Sequence, residues 1–179
     1  MKRIRVIQLG LVVLVALVAS GVIAAFAFGH STAGPGGPPV TASGQLVLGN
    51  DTLNVTAFST GGSNSGTISG GGGIGSGKAN FEDLSVSAPV DSSNPHLNVA
   101  LANGQHFASA TLTYTWGSPG GTPATYTIAL TDVIVTAVTE GSSGSAPTEN
   151  LTFAYGKIKW TYTDANGTTT GSWDLVANA

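Results

Sequence analysis

The chain of 179 residues has no cysteine, one methionine and few charges: only 8 % of its residues are Asp, Glu, Lys or Arg. Without cysteine there is no disulfide framework and no thiolate metal site, and the redox compartment leaves no mark. So few charges exclude a charged helical bundle, because soluble domains ordinarily carry about a quarter. Lys2, Arg3 and Arg5 sit at the extreme N-terminus, which leaves Lys78, Lys157 and Lys159 against nine carboxylates, a formal charge of 3 − 9 = −6. Nucleic-acid binding needs clustered Lys and Arg to neutralise phosphates, so no nucleic-acid partner is expected. Aromatics are also scarce, at 7 %. What is abundant is glycine, 26 residues, together with Thr and Ser. That profile fits a mainly β protein with glycine-rich turns.

The densest aromatic stretch is Glu149 to Tyr162. Leu151, Phe153 and Tyr155 share one face of a strand at period two, and after Gly156 the apolar residues become Ile158, Trp160 and Tyr162. This parity change predicts a β-bulge or sharp bend at Gly156, where the missing Cβ makes it cheapest. The other strands are expected to pack around this one.

Residues 1–29 form a basic start followed by an uncharged, mostly apolar run from Val6 to Gly29. Two readings stand: a secretory signal peptide cut near Ala25-Phe26-Ala27, or an uncleaved signal anchor. At ~1.5 Å per helical residue the run is long enough to span a bilayer. Either way the body is expected outside the cytoplasm, and residues 6–29 would be the only membrane contact. Residues 30–42, rich in Pro and Gly, read as a spacer. Residues 43–179 form the domain.

In that domain, strands are expected over Gln45–Leu48, Leu53–Phe58, Asn80–Val86, Ala110–Trp116, Ala124–Val138 (bent near Asp132), Glu149–Tyr162 and Ser172–Val176. Asn166-Gly167 is a strong hairpin turn. Gly61–Asn80 reads as a mobile glycine-rich loop. One short helix is expected, with Asn94 as N-cap, Pro95 at its first position, Leu97, Ala100 and Leu101 on one face, and Gly104 just past its end. Short strands and one helix give an antiparallel β-barrel or tight sandwich.

Signals of chemistry are weak. Gly72–Ala79 nearly fits the phosphate-binding G-x-x-x-x-G-K-[ST], and Gly70–Gly75 fits G-x-G-x-x-G. Alanine stands where the Mg²⁺-binding hydroxyl belongs, and a strand rather than a helix is expected to follow. His30, His96 and His106 have no metal-ligand spacing. Glu82 and Asp83, adjacent on a strand, would point to opposite faces and cannot act as a pair. There is no G-x-S-x-G elbow. Asn50, Asn54, Asn150 and Asn166 begin glycosylation sequons, a weak signal where Thr is so frequent. No catalytic, cofactor-binding or metal-binding residue is assigned. The threonine-rich faces read as solvated strand surfaces.

Six segments in order resemble the haemolysin-coregulated protein (Hcp) family of type VI secretion: Gly75–Leu84, Val90–Pro95, Gly104–Leu112, Ile128–Val135, Thr148–Tyr162 and Gly171–Asn178. The resemblance runs from about residue 44 to 179. It implies a small β-barrel carrying one helix, and a subunit, not an enzyme in itself, that forms hexameric rings stacking into a hollow tube with room for small effector proteins. Such subunits ordinarily begin at the first strand, whereas residues 1–42 precede it here. The alternative is an exported or membrane-tethered monomer that reuses the fold as a binding module.

Overall fold

The computed structural model describes residues 41–68, 74–75, 77–117 and 120–177. The expected signal segment, most of the spacer and the tip of the glycine-rich stretch lie outside them. Among the described residues no helix is long and apolar enough to cross a membrane.

Alternation of apolar and polar residues builds one large antiparallel sheet. Strand β1 (Thr41–Leu48) turns tightly through Gly49 and Asn50 into β2 (Asp51–Val55). After Thr56 come β3 (Ala57–Ser59) and four short strands, β4 (Gly62–Asn64), β5 (Thr67–Ile68), β6 (Ile74–Gly75) and β7 (Ala79–Phe81). The sheet resumes with β8 (Leu84–Pro89), then helix α1 (Asn94–Asn103), β9 (His106–Gly117), β10 (Ala124–Gly141), β11 (Thr148–Asp164) and β12 (Gly167–Asp174). Spatial order is β2-β1-β9-β10-β11-β8-β3, with β12 paired to β11 beside β8's place on the same strand.

The expected barrel is not closed. The edge strands β2 and β3 follow one another in the chain, but no ladder joins β2 to β3 or β8. A seam remains, bridged at Thr56, whose N–H and Oγ1 both donate to the Ser87 carbonyl at 2.8 and 3.0 Å. Alternation marks which face of each strand is buried. It carries no information on whether the outermost strands meet.

Glycine does not keep 61–80 irregular. β4 pairs with β7 and β5 with β6, so the described part of this stretch is an antiparallel ribbon. Its root is anchored by Phe81, whose ring lies 5.6 Å from Trp160 and 6.2 Å from Trp173. The strand expected from Asn80 to Val86 is interrupted at Glu82 and Asp83, which link β7 to β8.

The sheet curls around Leu46, Leu48, Leu53, Leu84, Leu112, Ile128, Leu130, Leu151, Phe153 and Ile158, all essentially inaccessible. Helix α1 closes one end with Leu97 and Ala100. Its N-cap is Ser93, one residue earlier than expected, because Asp91 Oδ1 receives both the Ser93 N–H (2.8 Å) and hydroxyl (2.6 Å) and sets the chain's entry there. Gly104 ends it as expected, in the left-handed conformation at φ 63°.

The ladder is interrupted at Gly156, by a different device from a one-strand bulge. Register between β10 and β11 is the same before and after it, Thr131 facing Lys157 and Val133 facing Tyr155. The opposed residues Asp132 and Gly156 leave the ladder together, and both strands change parity. Ala108 on β9 drops out opposite Asp132 as well. The left-handed residue is Asp132, at φ 55°. The true register shift lies further on, between Val135 and Ala137.

Candidate assembly surfaces

Away from the core, the long strands present a nearly neutral face. Ladder partners set out one row of Gln45, Thr113, Thr127, Thr161 and Thr170, and a neighbouring row of Ser43, Thr115, Thr125, Thr163 and Thr168. Hydroxyls meet across strands, Thr115 with Thr125 at 3.2 Å and Thr163 with Thr168 at 3.0 Å. Lys157 and Lys159 flank these rows, and the Lys157 Nζ lies 2.7 Å from Asp174 Oδ2.

The second surface is β12. It pairs with β11 on one side and with no other described strand, and Gly167 to Trp173 are all exposed. Edge strands are usually blunted by charge, Pro or a bulge. Among Gly167–Trp173 none of these occurs, and the ladder to β11 is regular throughout.

On the core-facing side, the aliphatic interior gives way to an aromatic layer at the end opposite α1. Phe58 and Tyr114 lie 5.4 Å apart, Tyr114 and Trp116 6.4 Å, and Trp116 and Tyr162 6.1 Å. Burial raises the Tyr126 hydroxyl's pKa. A shallow groove of about 200 Å³ runs beside Trp116, between Ser43, Thr115 and Pro123. No titratable side chain lines it, so it offers no acid, base or charged ligand.

The residues weighed for chemistry are dispersed. His96 and His106 each meet one aspartate, Asp51 at 3.4 Å and Asp132 at 3.0 Å. Among the described residues no three His, Cys, Asp or Glu side chains converge as a metal site. Lys78 leads into strand β7, so no helix N-terminus follows it to hold a phosphate; the remainder of that motif lies partly outside the described residues. Glu82 is held through its backbone, its N–H donating to Gly61 and its carbonyl accepting from the Tyr155 hydroxyl at 3.0 Å. Asp83 accepts from Thr136 at 3.1 Å. The sequon asparagines Asn50, Asn54, Asn150 and Asn166 are all exposed.

One polar constellation escaped the sequence reading. Glu149, on the core-facing side of β11, is 0 % exposed. Its Oε2 accepts a 2.6 Å hydrogen bond from Asn94 Nδ2, and the same nitrogen donates to Glu140 Oε1 at 3.0 Å. Asn98 Nδ2 adds a 2.8 Å bond to Glu140. These bonds hold the Glu140 carboxyl below its usual pKa, while burial pushes that of Glu149 up, assisted by Asp91 and Glu140. The signal was available: Glu149 is in phase with Leu151, Phe153 and Tyr155.

A curled β-sheet with an unprotected edge and a broad neutral face belongs to the class of proteins whose properties reside in surfaces. Comparison with known proteins makes this specific. Residues 46–162 match the family described as type VI secretion system effector, Hcp. "Protein hcp1" of Pseudomonas aeruginosa is 35 % identical over 87 residues, 48 % of this chain and 54 % of that protein, so the match spans about half of the curated relative. Among solved structures, "Structure of a type six secretion system protein" superposes with a TM-score of 0.66 at 25 % identity, covering 78 % of this chain and 99 % of the other. Hcp1 from Salmonella typhimurium gives a TM-score of 0.60 at 22 % identity, covering 76 % and 97 %, a likeness of fold. The chain belongs to the Hcp family of type VI secretion proteins.

Proposed function

We propose that this chain is a self-assembling structural subunit whose copies close into a hexameric ring, and that rings stack into a hollow tube able to carry small effector proteins. The observation that carries this reading is the exposed, uncharged edge formed by Gly167–Trp173 of β12. Such an edge offers a full set of backbone donors and acceptors to a second strand. Joined head-to-tail to a different edge of the next copy, it generates a ring if the rotation closes. Sparse charge lowers the desolvation cost of a large contact. Residues 1–29 would export the body, as a cleaved signal or as an anchor. The uncharged run of Val6–Gly29 favours a second reading, a tethered monomer that uses the fold for binding.

Light scattering with negative-stain electron microscopy of the full chain in mild detergent tests this. Rings near six times the 17.8 kDa subunit mass are expected. Thr170→Lys, which puts a charge on the edge, should leave a folded monomer. A wild-type chain that stays monomeric at high micromolar concentration would discard the ring and leave the tethered module.

A further inference from the structure

Glu140 and Glu149 are direct ladder partners across β10 and β11. Two carboxylates in that position repel one another. The structure places a single amide group, Asn94 Nδ2, between them, from the first turn of α1. An NH₂ has two hydrogens, and each carboxyl takes one. Oε1 of Glu149 is buried with no hydrogen-bond partner. A charged oxygen in that position would forfeit its hydration with nothing in return.

We propose that Glu149 is a proton latch for helix α1: its carboxyl is neutral while the helix is docked, and loss of that proton loosens the helix from the sheet. The groups around it support this from every side. Asp91, in the link before the helix, and Glu140, on β10, are both acidic. The helix contributes Asn94 and Asn98, which are neutral, while its His96 is turned to Asp51. β8 contributes Ala88, the ladder partner on the other side. Lys157, on β11 itself, is engaged with Asp174. The exposed Glu140 keeps its charge, stabilised by two amides, so the proton resides on Glu149.

The sign of the effect follows from linkage. Glu149 has a raised pKa when the helix is docked, so the docked state keeps a proton that the undocked state has released. Docking is therefore strongest below the ordinary carboxyl range. It weakens as pH rises through that range to the raised value, and is constant above it. A helix of ten residues does not persist without its packing, so undocking and unwinding coincide.

The test is a carbon-13 titration of the glutamate side-chain carboxyls in the full chain, paired with amide exchange of α1. There are only three glutamates, Glu82, Glu140 and Glu149. Glu149 should titrate above Glu140. Helix protection, corrected for the intrinsic pH dependence of exchange, should fall about tenfold for each pH unit separating its docked and free pKa values. Glu149→Gln should remove that dependence while leaving the helix docked; if this variant does not fold, the wild-type titration decides alone. Titration of Glu149 at or below the ordinary carboxyl value overturns the latch. So does a helix whose protection at high pH is restored by added calcium or magnesium, since a metal ion would then be the neutralising partner.

Discussion

Asp132 and Gly156 face each other across β10 and β11 where both strands leave the ladder, and the left-handed backbone belongs to the aspartate. Asp tolerates that conformation far better than a β-branched residue does. Asp132→Val should therefore cost about 1–3 kcal/mol. At Gly156 an added Cβ meets nothing nearer than Asp132 Cβ at 3.4 Å. Gly156→Ala should stay within about 1 kcal/mol. Urea denaturation of both variants checks the order; a larger loss at Gly156 would place the strain on the glycine.

Gly44 on β1 is a site of close approach. A Cβ there would lie 2.7 Å from the Val55 carbonyl and 2.8 Å from Tyr114 Cδ2. The carbonyl belongs to the paired strand β2 and cannot swing aside. Gly44→Ala should destabilise by about 1–3 kcal/mol, the usual cost of overpacking. Gly171, on β12, is the control: its added Cβ would meet only Trp160, at 3.9 Å. Thermal melts should separate the two, and equal melting temperatures would show that β1 and β2 part easily.

The closing hairpin should respond to acid in the opposite sense to the helix. The Lys157 ammonium and the Ala177 N–H hold the Asp174 carboxyl below its usual pKa. The Asn166 N–H does the same for Asp164 in the turn. Both contribute stability that is present above the ordinary carboxyl value, ~3.9, and lost as pH falls through their depressed values. Exchange protection of β12 should decline on acidification, modestly because both groups are exposed. Lys157→Met should move the decline of the Asp174 contribution to higher pH. An unchanged profile in that variant would show that Lys157 contributes nothing.

Legibility varied from element to element for physical reasons. Period-two alternation exposed the buried faces of β9, β10 and β11, and Pro95 with Gly104 bracketed the helix. The parity change marked the interruption at Gly156 but could not distinguish an extra residue in one strand from a matched pair leaving two strands together. Glycine suggested a loop at 61–80, where pairing and the anchorage of Phe81 on two tryptophans prevail over low strand propensity. Asparagine favours the cap position, but tertiary contact with Glu149 gives Asn94 another role. The family resemblance, carried by six ordered segments, was visible, whereas the open seam was not: an edge strand and a paired strand can have the same pattern.

The seam at Thr56 has a consequence for how the molecule comes into being. β2 and β3 are neighbours in sequence yet occupy opposite margins of the sheet. Beyond its hairpin with β2, β1 finds its second partner only in β9, after the ribbon, β8 and the helix have all been made. Long-range pairing of this kind is slow, because the chain must first give up the freedom of a large intervening loop. The meander of β9, β10 and β11 involves shorter connections and is the natural nucleus. The first hairpin then joins last, and Thr56 draws the two margins together only when the rest of the sheet is already in place.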